Sequence, residues 1–173
     1  MLANLKSSIV NFNSRLNANN LRKLIKSQLN EIKGFYLGEF YLSQDASLAL
    51  AVDKSHHKLV LLHVHGSEFK HSLFHCSDLQ SVHMYVNGSS VKSYSNSFSS
   101  RSVPGHSPVS AEDKSKSFLK ILTNKKEQQS LMFFFDSAKQ SDDLLHWFDI
   151  CRLVIAKAEQ TTETMNSRIQ VMR

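Results

Sequence analysis

Histidine is the residue type in this chain best placed for chemistry. Seven of its nine histidines, His56, His57, His63, His65, His71, His75 and His83, fall between positions 56 and 83, with Cys76 among them. Neutral imidazole is a common zinc or nickel ligand, and His63-Val64-His65 on a strand puts two rings on one face. Ligand spacings such as CxxC or HExxH are absent. The reading is therefore of histidines on a half-exposed sheet, with no metal site and no cofactor assigned.

Other reactive residues are dispersed. Twelve of the 27 serines sit in one serine-rich stretch, where no pocket positions a nucleophile. The acids Glu39, Asp45, Asp53, Glu68 and Asp78 fall at strand ends and turns without paired-carboxylate spacing. Only five glycines occur and none recur at the spacing of a phosphate-cradling loop. No catalytic residue is assigned, and a non-enzymatic protein is expected. A basic cluster, Arg22, Lys23, Lys26 and Lys33, offers phosphate contacts without sequence readout, and Tyr36, Phe40 and Tyr85 would stack bases wherever they are exposed. The same helix could lie on an anionic membrane with Leu21, Leu24, Ile25 and Leu29 inserted. Any solvated helix face shows the same spacing of Lys and Arg, and core packing is the expected use of the aromatics.

The elements that must position these residues follow from periodicity. Leu2, Leu5, Ile9, Phe12 and Leu16 mark one helix face. A second helix is expected from an Asn20 N-cap, with Leu21, Leu24, Ile25, Leu29 and Ile32 on its apolar side and Gly34 as a left-handed stop. β-like runs follow at Phe35–Leu42, Ser47–Val52, Lys58–Val64, Phe69–Cys76, Leu79–Val86, Phe118–Leu122 and Ser130–Phe135, with Asn87-Gly88 as a strong turn signal. Residues 88–117 read as a flexible serine-rich insertion, too poor in apolar surface to offset the entropy of ordering. Ser141 then caps a helix with Asp142 and Asp143 in its first turn. Leu144, Phe148, Cys151, Ile155, Ala158, Thr162, Met165, Ile169 and Met172 step by four and three along it, a stripe longer than a small barrel can cover.

These elements predict an α+β chain of 173 residues: a helical arm over 1–34, a β domain over 35–158 and a helical extension over 159–173. Hydrophobic residues make up 41%, enough for an ordinary core. The net charge of +6 with a pI of about 9.4 suits nucleic acid, an anionic surface or an acidic partner without requiring one. Two cysteines make no disulfide framework, and Cys76 and Cys151 read as small hydrophobes in a reducing compartment. The spaced apolar residues of 1–16 do not read as a signal peptide, and no apolar run approaches membrane-spanning length. A cytoplasmic location is expected.

The strand count, the Leu48–Asp53 and Lys58–Leu62 hairpin, Ser77-Asp78-Leu79 opening the next strand, and Phe133-Phe134-Phe135 followed by a helix carrying Trp147-Phe148 resemble a bacterial pleckstrin-homology-like domain. The resemblance covers roughly Phe35 to Ala158. It implies a seven-stranded β-barrel or sandwich closed by the C-terminal helix, serving as a binding or adapter module. Lipid-binding members carry basic residues around the first strand turn. Here that turn is Ser43-Gln44-Asp45-Ala46, so inositol lipid is not an expected partner.

The functional expectation is a non-catalytic scaffold module acting through protein contacts and self-association. Leu5, Ile9, Phe12, Met165, Ile169 and Met172 would bury the apolar area, within one chain or across a homodimer. The alternative is a nucleic-acid or anionic-surface binder using Arg22, Lys23, Lys26 and Lys33.

Overall fold

The computed structural model describes residues 18–96, 116–135 and 141–171, with backbone alone at 18, 141, 159 and 161–171. The expected helix over Leu2–Leu16 lies outside the described residues. The architecture is α+β: helix α1 (Ala18–Asn30), strands β1 (Glu39–Leu42), β2 (Leu48–Asp53), β3 (Lys58–His65), β4 (Glu68–His75), a single 3-10 turn (Cys76–Asp78), β5 (Leu79–Val86), β6 (Ser89–Ser95), β7 (Ser117–Thr123), β8 (Ser130–Phe135) and helix α2 (Ser141–Val171). The strands form two antiparallel four-stranded sheets, in the orders β1-β2-β3-β4 and β6-β5-β7-β8. Among the described residues, the expected seven-stranded barrel or sandwich is therefore corrected to eight strands in two four-stranded sheets, with no closed barrel. The chain divides into two compact units between Leu73 and Phe74.

The first unit is built by a helix lying on a sheet. Helix α1 starts at Ala18, so Asn20 lies inside its first turn rather than capping it. Leu21, Ile25 and Leu29 recur at spacings of four and pack with Ile32 and Phe35 onto Ala49, Ala51, Val60, Leu62 and Val64. Leu50, Val52, Leu59 and Leu61 alternate to the opposite face and are equally buried, which is why β2 and β3 read as nearly unbroken apolar runs. Gly34, with a positive φ of 74°, reverses the chain after the helix, a conformation that a Cβ would strain. Phe35–Gly38, expected as strand, is irregular. The ladder with β2 begins only at Glu39, paired with Val52.

In the second unit, helix α2 packs against β5 and the 3-10 turn. Leu144, Trp147, Phe148, Ile150, Cys151, Val154 and Ile155 are buried. That face is broader than a two-position heptad seam, as suits a helix covering a sheet. Val82, Met84, Leu119, Ile121, Leu131 and Phe133 occupy one face of β5, β7 and β8 in matching register and are also buried.

Strand β6 corrects the sequence expectation. Ser89–Ser95 lies within the stretch read as a flexible insertion, yet it pairs with β5 from Val86↔Ser89 to Ser81↔Ser95. Asn87 and Gly88, both at positive φ, make the two-residue turn that joins them. An edge strand has one neighbour only, and nearly all of its residues are exposed, so apolar side chains are not needed to hold it. Residues 97–115 of the expected insertion lie outside the described residues.

Candidate functional site

The C-terminal helix carries the first candidate. Helix α2 contains 31 residues. At a rise of about 1.5 Å per residue its length is about 46 Å. Strand β5, on which it packs, is eight residues long and spans only about 27 Å. Among the described side chains of α2 the last buried one is Ile155. Lys157 and Ala158 are half-buried, and Gln160 is exposed, with Lys157 Nζ donating to its Oε1 at 2.9 Å. Met165 and Ile169, which the sequence places on the apolar stripe, fall on the helical backbone beyond that point. Leu5, Ile9, Phe12 and Met172 lie outside the described residues.

The second candidate is in the first unit, where the buried carboxylate of Asp53 organises a corner. At the end of β2 its Oδ1 accepts from the backbone N–H of Ser55 (3.0 Å) and His56 (2.9 Å). Its Oδ2 accepts from the Tyr36 backbone N–H (3.0 Å) and meets His56 Nδ1 at 3.0 Å. This is an Asp-headed turn, in which a short side chain replaces water for the backbone donors that follow it. Burial pushes the Asp53 carboxyl up. The His56 and Tyr36 amides and the His56 ring outweigh that and hold it below the usual carboxylate range.

Two contacts stitch the segment after α1 to this turn: the Tyr36 amide on Asp53, and Lys58 Nζ donating to the Gly34 carbonyl. Tyr36 consequently stands against His56, with ring centroids 4.9 Å apart and 30° between planes, while remaining 66% exposed. Of the three aromatics considered for base stacking, it is the one presented to solvent. Phe40 is half-buried with the Arg22 guanidinium 5.6 Å from its centroid, and Tyr85 is buried and stacked on Phe118.

Arg22, Lys23, Lys26 and Lys33 are all exposed. Arg22, Lys23 and Lys26 are spaced by three and four on the solvent side of α1, whose other side is core. Among the described residues no carboxylate pairs with Lys23, Lys26 or Lys33. The acid nearest to them in sequence, Glu31, is held by Ser27 and Gln28. Leu21, Ile25 and Leu29, the residues a membrane-lying helix would insert, are instead buried in the core, and Leu24 alone of that set is exposed.

The remaining sequence candidates do not converge. His63 and His65 share a face of β3, with ring centroids 6.1 Å apart and nearly parallel planes. Partial burial, with the neighbouring His65, lowers the His63 pKa. Among the described residues no three His, Cys, Asp or Glu side chains come together as metal ligands. In the first strand turn, Asp45 accepts from Ser43 Oγ, Ser47 Oγ and the Ser47 amide, so this turn carries an anchored carboxylate. Cys151 is fully buried, which pushes its thiol up to about 12, and Cys76 is partly exposed. No described helix is long and apolar enough to cross a membrane.

The Asp53–Tyr36–His56 corner escaped the sequence reading, which counted Asp53 among dispersed turn acids. Its local signal was present: an aspartate closing an apolar run, with backbone donors two and three residues on. The partner at Tyr36 is seventeen residues upstream, and no local pattern announces it. No family model, no curated protein and no solved structure matches the chain.

Proposed function

We propose that this chain is a non-catalytic binding module that works through protein contacts and associates with itself through its C-terminal helix. One observation carries the reading: α2 runs for 31 residues, about 46 Å, whereas strand β5, on which it packs, spans about 27 Å. A helix of good amphipathic pattern that outruns its own sheet has an apolar face suited to a second helix. Two antiparallel sheets followed by a C-terminal helix also support a pleckstrin-homology-like scaffold, although the β6-β5-β7-β8 order departs from a simple meander.

The interface comprises Leu5, Ile9, Phe12, Met165, Ile169 and Met172. At about 1.5–3 kcal/mol for each buried side chain, six contribute about 9–18 kcal/mol per chain, against an association cost of about 4–15 kcal/mol. That balance predicts assembly that depends on protein concentration. Sedimentation velocity on the Met165→Lys/Ile169→Lys double variant tests it. The variant should sediment as a monomer with unchanged helix content, while the unmodified chain shifts to larger species as concentration rises. A concentration-independent monomer in the unmodified chain rejects the proposal.

A further inference from the structure

We propose that the first unit carries a binding surface for single-stranded nucleic acid, with the exposed ring of Tyr36 as a base-stacking platform beside a basic track formed by Arg22, Lys23, Lys26 and Lys33. This proposal does not depend on self-association.

Three observations carry it. The Tyr36 ring is two-thirds exposed, although large aromatic side chains are ordinarily covered, and it is fixed rather than loose. Its backbone is bound to the buried Asp53 carboxylate, and one side of its ring meets His56. A ring held in place on one side and open on the other loses little freedom when a planar group stacks on it.

The second observation is charge. Lys23, Lys26 and Lys33 are exposed and without a carboxylate partner among the described residues. Lys33 precedes by one residue the Gly34 carbonyl that Lys58 holds, which puts Lys33 and Lys58 on the segment that leads into the corner bearing Tyr36. His56 and His57 add further hydrogen-bonding groups in the same turn. Cations with no internal partner beside an aromatic face match a polyanion carrying planar bases.

The third observation selects among polyanions. A flat ring can stack only on an unpaired base, because duplex bases already stack on one another. A membrane surface is the poorer fit. The apolar residues of α1 that would enter lipid are in the core, and the first strand turn holds an anchored Asp45 in place of cations.

The test is fluorescence anisotropy on the full chain, with labelled oligothymidylate and oligouridylate of about 12 nucleotides, a duplex of the same length, and phosphatidylcholine vesicles with and without phosphatidylserine. Four phosphate contacts predict a log–log salt slope of about −3, and replacing Lys23, Lys26 and Lys33 by Gln should flatten it by about 2. Tyr36→Ala should weaken single-strand binding by about 5-fold to about 100-fold while leaving the salt slope unchanged, and Tyr36→Phe should retain it. Oligothymidylate against oligouridylate distinguishes DNA from RNA as the source of the strand. The Tyr36 side chain is outside the core, so both variants keep the fold. Absence of oligonucleotide binding, equal affinity for duplex, binding indifferent to Tyr36→Ala, or binding to anionic vesicles alone would each overturn the proposal.

Discussion

Asp53 is the residue whose replacement should disturb the first unit most for its size. Its carboxylate is fully buried and serves four donors: the amides of Tyr36, Ser55 and His56, and the His56 ring. Asp53→Ala leaves all four without an acceptor. Those bonds are charge-assisted, but some of the donors can recover water, so about 1 kcal/mol each is a fair net value and about 3–5 kcal/mol the expected loss. Asp53→Asn is more selective. Its carbonyl oxygen still serves Ser55 and His56, while its NH₂ faces the Tyr36 amide and the His56 ring, for a loss of about 2–3 kcal/mol. Urea denaturation followed by far-UV circular dichroism should report midpoints lowered by roughly 2 M and roughly 1 M, at about 2 kcal/mol per M. The pH dependence has a fixed sign. The Asp53 pKa is depressed on folding, so its stabilisation is fully present above the ordinary carboxylate value of about 3.9 and lost as pH falls through the depressed one. The gap between the unmodified chain and either variant should shrink as pH falls below about 4. A cost for Asp53→Ala below about 0.5 kcal/mol, the least expected of even one such bond, would refute this account of the corner. So would a gap that widens as pH falls below about 4.

Two further outcomes follow from burial. Ile25→Ala, at a fully buried position of α1, should cost about 2–5 kcal/mol, whereas Leu24→Ala next to it, on the exposed side, should cost under about 1 kcal/mol; the same urea titration compares them. In the native chain a thiol reagent at about pH 8 should modify Cys76 and spare Cys151, whose thiol is fully buried and pushed up to about 12; a count of modified thiols before and after denaturation checks this.

What the sequence makes legible depends on which faces an element buries. β2 and β3 bury both faces and appear as apolar runs, and their hairpin is found almost to the residue. Helix α2 is found at its first residue, because Ser141 with Asp142 and Asp143 is a local signal independent of what the helix packs on. β6 is missed for the opposite reason: an exposed edge strand is held by backbone bonds to β5, and its serines record only its contact with water. Phe35–Gly38, the first half of the expected Phe35–Leu42 strand, fails in the other direction, while Glu39–Leu42 is a strand. Phe35 anchors in the core beside α1 while Tyr36 points to solvent, an alternation that mimics a strand where backbone pairing has not yet begun. The candidate sites divide similarly. The basic residues of α1 are legible from spacing alone, but the exposure of Tyr36 depends on a hydrogen bond to Asp53 that spans the first sheet's opening strand and the turn after it.

Self-association through the end of α2 can be decided by light-scattering mass on the full chain and on a chain ending at Ala158, which keeps every α2 side chain described as buried. The full chain should be a dimer that falls to a monomer on truncation. A monomer in both, or a dimer that survives the truncation, would contradict it.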